Sequence, residues 1–273
     1  MQLTTSYQNT SLLNLQSKFC FFEVRDASAV LSASCAKEWD EFVEILEKFT
    51  FSGDVLLAKG GNKSALVSEL ESLFYKKGWM ETRVDSEQIL YELPKTGRLT
   101  GEKNKILKIS GKNKKFPITG KTSSLQTIER INLLTKKFPE ARITSTYQEG
   151  YQVDCLKGRV AIDIEWNAKD GNLDRDLSAY RAWYDFGLID GAILITKDIT
   201  ECRKLIHDLW QDYLCTNNLP KNTLPPVDLK TSTTTSSDKA VERIKRGDAG
   251  GCPVLIVGIQ RGCWDGSPYS PKK

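Results

Sequence analysis

The sequence predicts an α/β fold in which a mixed central sheet is flanked by helices. Two short apolar runs, "DGAILIT" and "CPVLIVGI", have the length and the β-branched content of buried strands. The stretch "VDCLKGRVAIDIEWN" predicts a third and a fourth strand joined as a hairpin. Segments with helical periodicity lie between these strands, and this alternation is typical of sheets covered by helices.

Size and composition predict one large globular domain. The 273 residues are 40% hydrophobic, which is enough to bury a substantial core. We predict a single domain over residues 1–273, with a helical N-terminal part of about residues 1–58 and a lysine-rich insertion of about residues 93–124. No apolar run is long enough to span a membrane, and the N-terminus does not resemble a signal peptide. We therefore expect a cytoplasmic protein.

The seven cysteines show no C-x-x-C pair, so they predict reduced thiols rather than disulfides or a zinc site. His207 is the only histidine, which excludes a site with several histidine ligands. The segment around it, "CRKLIHDLWQDYL", has helical periodicity, so an ordinary structural role is expected for His207. The net charge of +4 and the pI near 8.5 permit a polyanionic partner without requiring one.

Two helices are predicted in the first third of the chain, over "AKEWDEFVEILEKFTF" and "SALVSELESLFYKKGW". Ser64 is a candidate N-cap of the second helix, and Gly78 is a natural stop. Further helices are predicted over "LQTIERINLLTKKF", "DRDLSAYRAWYDFGL", "ECRKLIHDLWQDYL" and "KAVERIKRG".

The segment from Leu93 to Ser124 combines many lysines with glycine and proline. This composition predicts an irregular, solvated excursion from the fold. It is either a solubilising surface segment or an arm that neutralises nucleic-acid phosphates.

The hairpin in "VDCLKGRVAIDIEWN" places acidic residues on strands, which normally avoid them. With Lys157 and Gly158 as a two-residue turn, Leu156 would lie opposite Arg159 and Asp154 opposite Ala161. Side chains alternate across a strand, so this register predicts two faces. One is an apolar core face with Val153, Cys155, Val160, Ile162, Ile164 and Trp166, and the other carries Asp154, Ala161, Asp163, Glu165 and Asn167.

Three carboxylates on one face predict a cation site. Asp163 and Glu165 are about 7 Å apart along the strand, and Asp154 is about 7–8 Å from Asp163 on the diagonal. The negative charges would repel one another without a counterion, and a hard divalent cation such as Mg²⁺ prefers oxygen ligands. The alternative is an edge hairpin whose solvent-exposed face carries acidic residues only to prevent aggregation.

The acid in one strand, the two acids spaced by one residue in the next and the preceding glutamate-bearing helix resemble the PD-(D/E)xK nucleases. The resemblance is closest to type II restriction endonucleases of the BglII, BstYI and BamHI group. It is carried by "VDCLKGRVAIDIEWNAKDGNLDRDLSAYR", "GAILITK", "GGCPVLIVGI" and "GGNKSALVSELESLFYKKGWMET". These segments cover roughly residues 59–92 and 147–260.

The resemblance implies a PD-(D/E)xK core and assigns roles to several acids. Asp154 and Asp163 match the two metal-binding acids, and Glu165 stands where most of these nucleases have lysine. BamHI-like enzymes have glutamate at this place and are active, so Glu165 is taken as catalytic. Lys169 could partly compensate for the absent lysine. The helix acid is either Glu69 or Glu71, and we favour Glu71.

The function implied is metal-dependent, site-specific cleavage of double-stranded DNA in a type II restriction system, with Mg²⁺ as cofactor and a homodimer as the assembly. The alternatives are a DNA repair nuclease and a non-cleaving DNA-binding module on the same fold. Candidate DNA contacts, together with the run "TSTTTSSD", are Asn62, Lys63, Lys169, Arg175, Arg181, Arg243 and Arg246. Salt bridges within the helix are the ordinary alternative for Arg175 and Arg181.

Overall fold

The computed structural model describes residues 9–58, 64–92, 142–227, 229 and 234–271, and the single positions 129, 131, 132, 135, 136 and 139. The chain divides into two compact units, one of Met1–Val84 with Tyr151–Lys273 and one of Asp85–Gly150. Whether they form a single domain stays a prediction. The predicted insertion of residues 93–124 and most of the helix predicted over 125–138 lie outside the described residues.

A six-stranded mixed sheet forms the centre of the fold and confirms the predicted class. Its strands follow one another in space in the order β1, β6, β5, β4, β3, β2. β4 runs parallel to β5 and β5 parallel to β6, whereas β1–β6 and β3–β4 are antiparallel. The strands span Phe19–Val24 (β1), Met80–Glu92 (β2), Arg142–Lys157 (β3), Val160–Ile164 (β4), Gly191–Lys197 (β5) and Val254–Ile259 (β6).

Helices flank this sheet, and the five longest of the described helices lie where the apolar periodicity predicts helices. The helices Thr10–Leu13, Ala27–Ser34 and Gly53–Leu56 were not predicted individually. Ser64 caps the fifth helix, its side chain accepting the N–H of Val67 at 3.2 Å, and Gly78 follows its end with a φ of 83°. The helices span Thr10–Leu13 (α1), Ala27–Ser34 (α2), Ala36–Lys48 (α3), Gly53–Leu56 (α4), Ala65–Lys76 (α5), Gly171–Asp185 (α6), Ile199–Thr216 (α7) and Ser237–Arg246 (α8).

The N-terminal part contains a strand that the sequence analysis did not predict. β1 pairs with β6 from Phe19 opposite Ile259 to Val24 opposite Val254. Its sequence, "FCFFEV", has no alternation of polar and apolar residues, and its pairing partner lies more than 200 positions further along the chain. The helical description of residues 1–58 is therefore incomplete.

The sheet separates two hydrophobic clusters. One contains Trp39, Phe42, Leu70 and Phe74 from α3 and α5, with Ile162 from β4. The other lies between the opposite face of the sheet and helices α6 and α8. Among its members are Val153, Ala161, Leu177, Tyr180, Leu194 and Ile244. Burying a large apolar side chain contributes about 1.5–3 kcal/mol, so these clusters fix the strands from both sides.

Within the unit of Asp85–Gly150, one carboxylate of β2 binds two residues of β3. The Tyr147 hydroxyl and the Gly150 N–H both donate to Asp85. The seven cysteines are free thiols, as predicted. None of the helices that the structure describes has the length and hydrophobicity to cross a bilayer.

Candidate functional site

The β3–β4 hairpin is present, but its register differs from the predicted one. Cys155 lies opposite Ile162 and Lys157 opposite Val160, so the two turn residues are Gly158 and Arg159. Gly158 has a φ of 53°, which favours glycine at this position. Lys157 is held in the ladder because its ammonium contacts the Glu41 carboxylate at 2.6 Å and the Lys77 carbonyl at 2.6 Å.

One residue was assigned to the wrong face of the hairpin. Val153 packs with Ala161 and Tyr180, whereas Cys155 packs on the opposite side of the sheet with Ile162. The alternation along β3 therefore shifts at Asp154. The backbone N–H of Asp154 donates to a side chain, so the regular ladder is interrupted at this residue.

The register brings Asp154 and Asp163 together directly rather than on a diagonal. Asp163 Oδ1 accepts the backbone N–H of Asp154 at 3.0 Å. In return, Asp154 Oδ2 accepts the backbone N–H of Ile164 at 2.9 Å. The two carboxylates thus take the place of carbonyl acceptors between the strands, and their positions are fixed by the backbone.

The acid face is not the solvent-exposed face of an edge hairpin, which was the alternative to a cation site, because α6 covers it. Asp163 is 2% exposed, Glu165 7% and Asp176 of α6 1%. Asp163 Oδ2 and Asp176 Oδ2 are buried and make no hydrogen bond of regular geometry within the described residues, although the Tyr180 hydroxyl lies close to the Asp163 carboxylate. Burying several carboxylates together is unfavourable in their ionised form.

The pKa values of these acids reflect this environment. Burial raises the pKa of Asp163 well above its usual range, and the charges of Asp176 and Asp154 raise it further. Burial also raises the pKa of Glu165 to about 7, while a hydrogen bond with Asp176 and, to a smaller extent, the charge of Arg175 oppose this shift. The pKa of Asp176 rises to about 8, through burial and then the charge of Glu165.

Arg175 lies beside the acids, although the sequence analysis assigned it to DNA. Its Nε and Nη2 donate to Asp176 Oδ1 at 3.0 and 2.8 Å. The same Nη2 is 3.4 Å from Glu165 Oε1. The guanidinium therefore joins two carboxylates, one from α6 and one from the end of β4.

A polar cavity of about 520 Å³ opens at the ends of β3 and β4. It distinguishes the two helix acids. Glu71 is buried and lines the cavity, whereas Glu69 is exposed on the same helix and has Asp265 as its charged neighbour. The acidic and basic residues of the cavity wall are Glu71, Glu81, Asp154, Glu165 and Lys169.

The segment that carries Glu165 is anchored by Lys197, which the sequence analysis missed, and by Thr235, which belongs to the run "TSTTTSSD" predicted to contact DNA. The ammonium of Lys197, at the end of β5, donates to the Trp166 carbonyl and lies 5.4 Å from the centre of the Trp166 ring. Burial lowers the pKa of Lys197 to about 8. The Thr235 hydroxyl donates to the Glu165 carbonyl at 3.1 Å. A lysine inside an apolar strand, as in "AILITK", was the available signal.

The remaining basic candidates are distributed unevenly. Arg243 donates two hydrogen bonds to Asp174, of 2.8 and 3.1 Å, and Arg246 donates one to Asp248 at 2.8 Å. Arg181 is 4.0 Å from Asp185, one turn further along α6. Of the described basic candidates, only Lys169 lines the cavity, and it forms no ion pair with the acids of the cavity wall. Asn62, Lys63 and the first three residues of "TSTTTSSD" lie outside the described residues. Further along this run, Thr235, Ser236 and Ser237 are buried, so these three hydroxyls do not face solvent as DNA contacts would.

The donor set at this site consists of carboxylate oxygens, which suits a hard divalent cation such as Mg²⁺ and not a soft metal. The burial of Asp163 beside the carboxylates of Asp154 and Asp176 fits a bound cation. Within the described ranges, no three acidic, cysteine or histidine side chains are already arranged as a metal site. The donor atoms therefore suit Mg²⁺ chemically, although the described side chains are not already arranged as a complete coordination site.

A mixed sheet flanked by helices, with paired acids at the ends of adjacent strands, is the architecture of restriction endonuclease-like nucleases. A family model described as "Restriction endonuclease BglII/BglIII" matches residues 19–259. The chain therefore belongs to the BglII/BglIII family of restriction endonucleases, as its sequence features predicted, and DNA is the partner that this membership implies. No curated protein sequence matches the chain.

Proposed function

We propose that the chain is a Mg²⁺-dependent, site-specific endonuclease that cleaves double-stranded DNA as part of a type II restriction system. The observation that carries this proposal is the interlocked pair Asp154 and Asp163. Asp154 and Glu165 line a cavity of about 520 Å³, and Asp163 is buried beside them. Family membership supplies the reaction class, and these acids supply the chemistry.

Asp154 and Asp163 are the proposed metal ligands. Bound Mg²⁺ would lower the pKa of a water molecule and neutralise charge on the scissile phosphate. The protein's part is to hold the two carboxylates at fixed positions. The hydrogen bonds between β3 and β4 do this through the backbone, which leaves little conformational entropy to lose when the ion binds.

Glu165 is the proposed water-activating residue, in the place where most nucleases of this fold have lysine. A general base works best when its pKa lies near the operating pH. Burial raises the pKa of Glu165 to about 7 in the metal-free protein, and this upward direction supports its assignment as the base. Glu165 would hold the attacking water and accept its proton, and Glu71 would complete the acidic wall of the cavity.

Lys169 is the basic residue of the cavity wall, and we assign it to the scissile phosphate or its neighbour. We also propose a homodimer, because a two-fold symmetric enzyme presents two identical sites to the two strands of a palindrome. Arg243 and Arg246 would reach DNA only by exchanging their acidic partners, Asp174 and Asp248, for phosphates.

One assay separates the proposal from its alternatives. Purified protein is incubated with plasmid and with genomic DNA, in Mg²⁺ or in EDTA, and with Asp163→Asn as the inactive control. Discrete fragments in Mg²⁺ with a common sequence at their ends support the proposal. A smear would point to a repair-type or nonspecific nuclease, and binding without cleavage would point to a non-cleaving module. Sedimentation velocity with and without DNA tests the dimer.

A further inference from the structure

The second turn of α6 presents a pair of adjacent residues to the acid site. Arg175 places Nε and Nη2 on one oxygen of Asp176, at 3.0 and 2.8 Å. From this position the same Nη2 reaches Glu165 Oε1 at 3.4 Å. Helix α6, which is not part of the hairpin, therefore contacts Glu165, the residue that stands where most nucleases of this fold have lysine.

The burial of the three side chains shows which of them is the anchor. The side chain of Asp176 is 0% exposed and that of Glu165 9%, whereas that of Arg175 is 52% exposed. A buried carboxylate with a fixed backbone is a rigid support, and the guanidinium that it holds is a rigid, planar group. About half of the Arg175 side chain is exposed, while its Nε and Nη2 atoms face inward to the carboxylates.

We propose that Arg175 is a positioning residue of the nuclease site, anchored by Asp176, and that it holds the Glu165 carboxylate in the orientation that water activation requires. This inference rests on the proposed function of Glu165. It differs from the predicted role of Arg175 as a DNA contact, because the Nε and Nη2 atoms of the guanidinium are bound to carboxylates.

The identity of the side chain matters for this role. A guanidinium donates several hydrogen bonds in fixed directions, so it can join Asp176 to Glu165. A lysine ammonium at the same position would keep the charge but could not keep both contacts in this geometry. Arg175 therefore brings a guanidinium from α6 to Glu165, the residue two positions beyond Asp163.

The test compares Arg175→Gln, Arg175→Lys and Asp176→Asn with a matched control, Arg261→Gln. Arg261 is 46% exposed and also pairs with a carboxylate, that of Asp208 at 2.8 Å, on a different helix. Each variant is measured for cleavage at saturating DNA in Mg²⁺, for DNA affinity in Ca²⁺ without Mg²⁺, and for melting temperature in EDTA.

We expect Arg175→Gln to lower kcat by about 10- to 10²-fold, since small displacements of catalytic groups have effects of this size. Its DNA affinity should stay within about twofold of wild type, and Arg175→Lys should recover only part of the rate. The double variant Arg175→Gln/Asp176→Asn should be no slower than the slower single variant, because both changes break the same contact. Arg261→Gln should match wild type.

Other outcomes would overturn the inference. Weaker DNA affinity with an unchanged kcat would make Arg175 a phosphate contact. Wild-type kcat and wild-type DNA affinity in Arg175→Gln would show that Arg175 does not position Glu165. If the losses in kcat of the two single variants multiply in the double variant, Asp176 does not act through Arg175. If Arg175→Gln fails to fold, Arg175→Lys decides between the same outcomes.

Failure of the proposed function is distinguishable from failure of this inference. If wild-type protein does not cleave DNA under any condition, the proposed function is wrong. The contact between Arg175 and Glu165 is then tested by measuring melting temperatures in EDTA for Arg175→Gln, Glu165→Gln and their double variant. Additive changes in melting temperature would show that Arg175 does not hold Glu165, whereas a non-additive cycle would show that it does.

Discussion

Asp154 and Asp163 are hydrogen-bonded to each other's strands, with Asp163 Oδ1 on the Asp154 N–H at 3.0 Å and Asp154 Oδ2 on the Ile164 N–H at 2.9 Å. These acids are therefore part of the sheet as well as part of the site. Because each carboxylate satisfies a backbone donor, substitutions that remove the acceptor affect both the chemistry and the fold.

Replacing either acid by asparagine should separate these two roles. Asp154→Asn and Asp163→Asn keep an oxygen that can accept the backbone hydrogen bond but lose the charge that a metal ligand needs. We expect cleavage to fall by about 10²-fold or more while the melting temperature stays near that of wild type. Asp163→Ala, in contrast, should cost about 1–3 kcal/mol, because it leaves the Asp154 N–H without its acceptor.

The control for this series is Asp212→Asn, an exposed acid on α7 that lines a different cavity. Plasmid cleavage and thermal unfolding measure the two effects. Cleavage by Asp154→Asn and Asp163→Asn at the wild-type rate would contradict the assignment of these acids as metal ligands.

Glu165→Gln should separate binding from cleavage. Its amide is nearly isosteric with the carboxylate but accepts no proton, so the rate should fall by about 10²-fold. DNA affinity should be preserved or improved, since a negative charge beside a polyanion is removed. Single-turnover cleavage and Ca²⁺-supported binding check the two quantities. Wild-type rates for both Glu165→Gln and Glu165→Ala would make Lys169 or Glu71 the better candidate for water activation.

The two glutamates of α5 should respond differently to the same substitution. Glu71 is buried at the cavity, whereas Glu69 is exposed beside Asp265. We expect Glu71→Gln to lower cleavage by about 10- to 100-fold, the usual range for residues that support a metal site. Glu69→Gln is its matched control and should leave the rate unchanged. Equal effects of the two variants would rule out a specific role for Glu71.

The stability of the metal-free protein should fall as the pH rises from about 4 to about 8. The folded-state pKa values of Glu165 and Asp176 are about 7 and about 8, whereas these acids titrate near 4 in an unfolded chain. Between these limits the folded state binds more protons than the unfolded state, so the free energy of unfolding has a negative slope with pH.

Thermal unfolding in EDTA across this window measures the slope. Asp176→Asn removes one titrating group and should make the slope shallower, whereas Asp212→Asn should retain the wild-type slope. A wild-type slope in Asp176→Asn would show that Asp176 does not carry this proton.

The lysine-rich segment should contribute to DNA affinity without setting sequence preference. Replacing several lysines between Lys103 and Lys121 by glutamine should weaken binding to all sequences alike. Each lost phosphate contact should reduce the slope of log K against log salt by about one unit. Fluorescence anisotropy at several salt concentrations checks this. An unchanged slope would identify the segment as a solvated surface loop.

The sequence by itself determined the fold class, most of the elements that flank the sheet, and the acids of the site. Helical periodicity located α3, α5, α6 and α7, and the apolar runs located β5 and β6, because burial of one face imposes a period on the chain. The acids on β3 and β4 stood out because strands normally avoid them. β1 escaped prediction because its sequence has no such period.

The tertiary structure decided the relationships between these elements. The sequence did not reveal that the hairpin turns at Gly158 and Arg159, that α6 covers the acid face, or that Arg175 binds Asp176 and reaches Glu165. A one-residue change in a turn costs little locally, yet it changes every pairing in the hairpin. Contacts between a helix and a strand end depend on how the helix packs, and this packing is fixed only when both hydrophobic clusters close around the sheet.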